Sequence, residues 1–373
     1  MTITFVSNYI NHHQAPLSDA LYRLTEGNYF FIQTEPMEEE RMKLGWNTEY
    51  VDRPYVKLYY ECKEECDRLI AESECVIFGG CEDSSVIMPR LEAGKFTLIY
   101  SERIYRHGRW KFISPRGLIK KYHDHIRFRE SPSYLLCAGA YVKGDFDLIG
   151  AYPNKKFKFG YFPKAEKYDD LNALRQAGDR VEIYWAARFI DLKHPEMMLG
   201  LAYRLKQAGK PFHITMTGSG VLLENIKLEA ELQGLSEEVS FTGNLTPEEV
   251  RKKMLASDIF VFTSDRLEGW GAVVNEAMNS GCLTIAPRAV GAAPYLIKDG
   301  ENGFIFNTCD IGDLYEKVLA GFDKELRNRL GLAAYHTIID TWNEEVAAKR
   351  IFEFAKQGGK SMPDYAEGPL SRA

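Results

Sequence analysis

Between residues 259 and 286 the chain runs through an apolar stretch, a glycine-punctuated turn, a helical stripe, a glycine and a second apolar stretch, and that order leaves few folds open. Residues 259–263 have the length and apolarity of a buried strand. Gly269 and Gly271 open the following turn. Val273, Val274, Ala277 and Met278 recur at helical spacing, and Gly281 stands where the helix should stop. Residues 282–286 resume as a strand.

The stretch contains two glutamates, Glu268 and Glu276, eight positions apart. On one continuous helix they would differ by about 80° and rise about 12 Å, so they could not grip a single atom. With the glycines opening the turn, Glu268 is expected in the loop above the helix start and Glu276 beyond its first turn. The helix start offers free backbone N–H groups and a positive dipole end, a natural place for phosphate. A ligand with hydroxyls at both ends and a diphosphate between them is a nucleotide-sugar. The alternative is a pair of solvated carboxylates on a helix flank.

The rest of the chain repeats the alternation. Runs at 3–7, 29–34, 75–79, 96–101 and 134–137 are short and apolar, separated by helical patterns such as 16–24, 63–72 and 138–149. A second series has strands at 181–187, 212–217, 239–241, 259–263, 283–286 and 303–306. Alternating strands and helices imply parallel sheets, whose ligands gather at the carboxyl ends of the strands. The domains expected are 1–162, a polar connection at 163–180, 181–343, a closing helix at 344–357 that returns to the first domain, and a flexible tail at 358–373.

Composition narrows the setting. No segment approaches the roughly 20 apolar residues of a membrane span, and no charged leader precedes the first strand, so a cytoplasmic protein is expected. The seven cysteines are scattered, and only Cys62 and Cys66 lie close together, which suits reduced structural thiols better than a zinc site. A net charge of −6 argues against a nucleic-acid binder.

Residues 103–129 depart from that acidic balance. They hold nine Lys or Arg (103, 106, 109, 111, 116, 120, 121, 127 and 129) against one acid, Asp124, interleaved with Tyr105, Trp110, Phe112, Tyr122 and Phe128. A basic, aromatic segment can lie on an anionic membrane surface, each nearby cation contributing about 1 kcal/mol. The same cations could bind the phosphate of a lipid-linked acceptor, and a solvated face is the plain alternative.

The E-x7-E spacing, with E-G-x-G after the first glutamate and E-A-M-x-x-G from the second, resembles the signature of the retaining GT-B glycosyltransferases of family 4, the group 1 enzymes. The motifs cover 181–357; the first domain is similar in architecture only. The resemblance implies an α/β fold of two Rossmann-like domains facing across a cleft. It also implies a hexose-type transfer from a nucleoside diphosphate sugar, with retention and without a metal or resident cofactor. UDP-sugar is favoured over GDP-sugar as co-substrate. The acceptor is a glycan or a lipid-linked glycan, in bacterial surface polysaccharide assembly on the inner face of the membrane. A catalytically inactive nucleotide-sugar-binding partner of another transferase is the second reading.

Residue by residue, the resemblance implies that Glu268 bonds the transferred sugar and Glu276 the ribose, with Gly269, Trp270 and Gly271 in the donor turn. A-R-F-I-D-L-K is similar to the family's G-R-x4-K, which makes Arg188 and Lys193 the cations on the leaving diphosphate. Gly218, Gly243 and Asn244 fall in strand-end loops that border the donor in the family. Their pattern lacks the third glycine and distal acid of a dinucleotide site. On the acceptor or diphosphate side stand His12 and His13 after the first strand, and Glu102 and Arg103 after the strand at 96–101. Family members have a histidine near this last point, and Glu102 is its nearest substitute, with a structural ion pair as the alternative.

Overall fold

The computed structural model describes all residues except 38–48, 82 and 172–177, and of Arg109 and Lys111 the backbone only. The chain divides into two compact units, Met1–Lys164 with Thr341–Ala373, and Ala165–Asp340. Each is built on one sheet whose named strands are all parallel.

The sheet of the first unit comprises β1 (Ile3–Ser7), β2 (Tyr29–Gln33), β3 (Val56–Leu58), β4 (Cys75–Gly79), β5 (Thr97–Ser101), β6 (Ser133–Ala138) and β7 (Lys156–Phe159), in spatial order β3-β2-β1-β4-β5-β6-β7. The described helices between them are α1 (Ala15–Leu24), α2 (Lys63–Glu72), α3 (Ser84–Glu92), α4 (Pro115–Asp124) and α5 (Val142–Asp147). Strands β1, β4 and β6 are buried on both faces, which is why they read as unbroken apolar runs rather than alternating ones. Strand β3 has no sequence signal because three half-exposed residues are too few for a period.

The second unit contains β8 (Val181–Ala186), β9 (Phe212–Thr217), β10 (Val239–Gly243), β11 (Ile259–Val261), β12 (Leu283–Pro287) and β13 (Phe304–Phe306), in order β10-β9-β8-β11-β12-β13. Its helices are α6 (Glu196–Gln207), α7 (Leu223–Leu232), α8 (Pro247–Leu255), α9 (Val273–Asn279), α10 (Ala293–Leu296), α11 (Ile311–Ala320) and α12 (Lys324–Asp340). Thr246 caps α8 through a reciprocal pair with Glu249, Pro247 following it as expected. The strand order reverses between β8 and β11, the place at the carboxyl edge of a parallel sheet where ligands are generally bound.

The last helix, α13 (Glu344–Lys356), belongs to the first unit and lies along α1. Arg23 pairs with Glu345, and the Phe354 ring sits 4.9 Å from Tyr134, 5.0 Å from Phe96 and 5.7 Å from Phe157.

Two expectations are corrected. Residues 358–373 are not a loose tail. Leu370 is buried, its N–H donates to Lys158 O (2.8 Å), and Lys158 N–H donates to Ser371 O (2.8 Å). Phe157 and Arg372 form an antiparallel bridge on the edge of β7. Backbone pairing of this kind is independent of composition, so a polar sequence concealed it.

Nor is 163–180 a free connection throughout. Glu166 exchanges two 2.9 Å hydrogen bonds with the Asn279 side chain, and Tyr168 N–H donates to Tyr335 Oη (2.9 Å), inside the second unit. Residues 172–177 of that call lie outside the described residues.

The turn after β9 shows why two glycines stand there. A Cβ on Gly218 (φ +132°) would lie 2.0 Å from the Ala187 carbonyl oxygen, and one on Gly220 (φ +152°) 2.3 Å from that of Phe189. The loops after β8 and β9 therefore touch backbone to backbone, joined by Phe189 N–H to Ser219 O (2.8 Å).

Gly218→Ala should lower the thermal unfolding midpoint well below that of Gly243→Ala. At Gly243 (φ +72°) the added carbon meets open space, and only backbone strain of about 1 kcal/mol applies. Equal losses would show that the loops separate easily. Leu370→Ala should cost about 2–5 kcal/mol in urea unfolding, whereas a loose tail would leave the midpoint unchanged.

Candidate functional site

Four neighbouring strands of the second unit, β10, β9, β8 and β11, deliver the loops that hold the expected donor residues. The loop after β8 is stitched to the one after β11. Trp185, buried under the sheet, donates its indole N–H to Thr263 Oγ1 (2.9 Å), which donates to Lys193 O (2.5 Å). Asp265 N–H donates to Leu192 O (3.1 Å), and His194 Nε2 lies 3.3 Å from Asp265 Oδ2. His194 takes a left-handed conformation (φ 47°), which ends the short 3-10 turn bearing Lys193.

Inside this frame Lys193 and Glu268 meet. The ammonium pairs with Glu268 Oε2 and stands 4.8 Å from the centre of the Phe262 ring, while Ser264 Oγ lies 2.8 Å from the same carboxylate oxygen. Both side chains are largely sheltered from solvent, at 12% and 16% exposure. Arg188, five residues earlier, is exposed, with no ion pair among the described residues. The expected diphosphate cations are thus unlike each other: one is open, the other held by the carboxylate assigned to the sugar.

Glu276 lies apart from this pair on α9, partly buried. Burial raises its carboxyl above the usual range, opposed by the charge of Arg251. Gly243 ends β10 and accepts from Gly218 N–H (2.9 Å); Asn244 beside it is exposed. Thr217 and Thr242 join through their hydroxyls at 2.8 Å across the ends of β9 and β10.

Two donor-site expectations change meaning. Trp270 is fully buried and bonds Asn275 through its indole N–H (2.7 Å), so its side chain braces the turn and offers no surface to a ligand. Gly271 (φ +85°) fits between Val290 and Phe262, and the carbonyl of Gly269 accepts from Gly291 N–H (3.2 Å), both supporting the same turn. Helix α9 has only seven residues, so the cations rather than its dipole dominate the local positive charge.

In the first unit the sheet order reverses between β1 and β4, and His12 and His13 follow β1. Their rings lie 3.9 Å apart, and His13 stacks on Tyr161 at 5.9 Å with the planes 8° apart. Burial, then the neighbouring His12, pushes the His13 imidazole well below its usual range, which keeps it neutral. Tyr161 donates to Glu102 Oε1 (2.7 Å), and Arg106 lies 3.5 Å from the other oxygen. His13, Tyr161 and Glu102, from three strand ends, thus form one polar cluster.

Arg103 does not join that cluster. It bonds both oxygens of buried Asp145 at 3.2 Å, and Tyr105 N–H donates to the same carboxylate (3.1 Å). The expected acceptor contact is a structural ion pair that fastens the start of the basic segment. Sequence reading missed Asp145, Tyr161 and His194, because each acts through a partner distant in the chain, and Ser264, whose contact with Glu268 four residues on depends on the shape of the turn.

The basic segment itself divides. Tyr105 and Phe128 are buried, whereas Trp110 (68% exposed), Ile113, Ile119 (61%) and Tyr122 face solvent, and α4 buries no residue. Among the described residues no helix is long and apolar enough to cross a membrane.

With the geometry in place, resemblance to known proteins becomes informative. Residues 167–337 match the family described as glycosyl transferases group 1. The chain is 26% identical over 185 residues to the GDP-mannose-dependent alpha-(1-6)-phosphatidylinositol monomannoside mannosyltransferase of Mycolicibacterium smegmatis, covering 47% of this chain and 48% of that one. It is 28% identical over 177 residues to the D-inositol 3-phosphate glycosyltransferase of the same organism, covering 46% and 39%. The matches thus span about half or less of these curated relatives.

The fold is similar to that of Anabaena Alr3699/HepE, solved in complex with UDP, with a TM-score of 0.71 at 12% identity over 96% of this chain and 100% of the other. Two parallel-sheet units of this kind are the GT-B architecture. Through residues 167–337 of its second unit the chain is similar to the group 1 glycosyltransferases.

Proposed function

We propose that this protein transfers a hexose-type sugar from a nucleoside diphosphate sugar to a glycan or lipid-linked acceptor, with retention of anomeric configuration. The observation that carries the reading is the open cation Arg188 beside the sheltered Lys193–Glu268 pair, at the point where the strand order of the second sheet reverses. Uridine is the base proposed, and cell-surface polysaccharide assembly the setting; the mannosyltransferase relative is named for a lipid acceptor.

In this reading the diphosphate draws Lys193 away from Glu268, and the freed carboxylate accepts from hydroxyls of the sugar. Arg188 and Lys193 then stabilise charge as the glycosidic C–O bond to phosphate breaks. The acceptor oxygen bonds the anomeric carbon from the same face and gives its proton to the departing phosphate oxygen. Glu276 accepts from the ribose. The cluster of His13, Tyr161 and Glu102 supports the acceptor-side role expected of His13 and Glu102, with His13 kept neutral by its burial. The outward face of 110–122 places exposed Trp110, Ile113, Ile119 and Tyr122 next to Lys120 and Lys121, the composition of a surface that rests on anionic lipid.

Removing either member of the sheltered pair strands the other charge and disturbs folding as well as binding, so Arg188→Ala and Glu276→Gln are the informative variants. Calorimetric titration with UDP and GDP should show one of them bound by the wild type and each variant weaker by about tenfold or more, the range for a hydrogen bond to a charged group. Release of nucleoside diphosphate only when acceptor is present identifies a transferase; binding without release under any acceptor identifies a binding partner. A glycosyl group trapped on a carboxylate of the enzyme would overturn the same-face route.

Cosedimentation should favour vesicles rich in phosphatidylglycerol over pure phosphatidylcholine, and Trp110→Ser with Ile119→Ser should abolish the difference. No preference in the wild type sinks the membrane reading.

A further inference from the structure

Cys62 and Cys66, close in the sequence, also meet in the fold: their sulfurs lie 3.6 Å apart, at van der Waals contact. Both are free thiols, so no covalent bond already joins them. Cys62 immediately precedes α2, and its carbonyl accepts from Cys66 N–H (3.0 Å), which sets the two residues across the first turn of that helix.

The two thiols differ in their surroundings. Cys66 is fully buried in the core of the first unit, on the same face of α2 as Ile70. Burial, then the hydrogen bond with Cys62, pushes its thiol up. Cys62 is only half-buried. It occupies the cap position, where an oxygen-bearing side chain commonly satisfies the first helical N–H groups, yet its side chain caps nothing. The sulfur turns instead to Cys66 and to Leu58 O (3.2 Å). A thiol that solvent reaches, backed by one that solvent does not, is the arrangement of an attacking and a resolving cysteine.

The backbone permits the link. A disulfide sets its sulfurs about 2.05 Å apart, so about 1.5 Å remains to be closed. Cys62 stands outside the helical conformation (φ −132°, ψ 52°), and its movement covers that gap without unwinding α2.

We propose that Cys62 and Cys66 form a reversible oxidation site for hydroperoxides, with Cys62 oxidised first and Cys66 closing the disulfide. The Cys62 sulfur, having shed its proton, attacks the peroxide: an S–O bond forms, the O–O bond breaks, and the departing oxygen takes up a proton and leaves as water or an alcohol. The Cys66 sulfur then attacks the sulfenic acid on Cys62. The S–S bond forms, the S–O bond breaks, and the hydroxyl leaves as water with the Cys66 proton. The two thiols give up two electrons, and the hydroperoxide is reduced by the same two. A dithiol reductant reverses the closure by exchange.

The test is a peptide map. The reduced protein is treated with hydrogen peroxide, blocked with N-ethylmaleimide and digested with trypsin. Cleavage after Lys57, Lys63 and Arg68 places the two cysteines on separate peptides, 58–63 and 64–68. The wild type should yield these two joined, and dithiothreitol added before blocking should return them separate. In Cys66→Ala the sulfenic acid on Cys62 should persist and take up dimedone. In Cys62→Ser, Cys66 should stay reduced at the same dose of peroxide. Unfolding midpoints are recorded for both variants, and Cys62→Ser, at the half-buried position, remains informative if Cys66→Ala does not fold.

Unjoined peptides from folded wild type, whether both reduced or with Cys62 held as sulfenic acid, overturn the proposal. Joining that occurs only in urea shows that the native fold keeps the sulfurs from bonding, and overturns it too. Oxidation of Cys66 in Cys62→Ser would remove Cys62 from the role of the attacking thiol.

Discussion

The Lys193–Glu268 ion pair is the contact on which the second unit's site depends. It joins the loops that leave β8 and β11, the two strands between which the sheet changes direction, and without it a sheltered ammonium would stand uncompensated between them. Its setting is built from the core outward. Trp185 fixes Thr263, Thr263 fixes the Lys193 carbonyl, and Ser264 steadies the carboxylate. A sheltered pair held by hydrogen bonds on both sides keeps its geometry while still leaving each charge available to a better partner.

The neighbouring loops follow from backbone sterics rather than charge. Gly218 and Gly220 allow the turn after β9 to press against the loop carrying Arg188, so the guanidinium starts from a fixed base although its own side chain is open to solvent. Rigid backbone beneath a free cation suits an anion whose shape changes as charge develops on it.

How far the sequence revealed this depended on the kind of interaction involved. Strands buried on both faces, such as β4 and β6, declared themselves as apolar runs, and helix 63–72 and the cap at Thr246 followed from local rules. Arg188 with Lys193, and Glu268 with Glu276, could be placed from the sequence because each pair falls within one strand-turn-helix unit. Contacts across the chain were not legible. Arg103 appears in a basic run as a free cation, and only folding brings Asp145 against it, 42 positions later. Trp270 sits among ligand residues in the sequence, yet its indole turns inward to Asn275. Residues 358–373 carry too little apolar content to suggest order, because their attachment is made by main-chain groups that every residue possesses.

The attachment of α13 and residues 370–373 to the first unit has a consequence for how the chain is made. Residues 165–340 form a unit complete in themselves, whereas the first unit is assembled from two stretches separated by that whole insert. During synthesis from the N-terminal side, the whole of the second unit is polymerised before α13 is. Until then the faces of α1, Phe96 and Tyr134 that receive α13 are uncovered, and β7 presents an unpaired edge. The unit made first is finished last, and the interval between is when this protein most needs protection from strand-edge association.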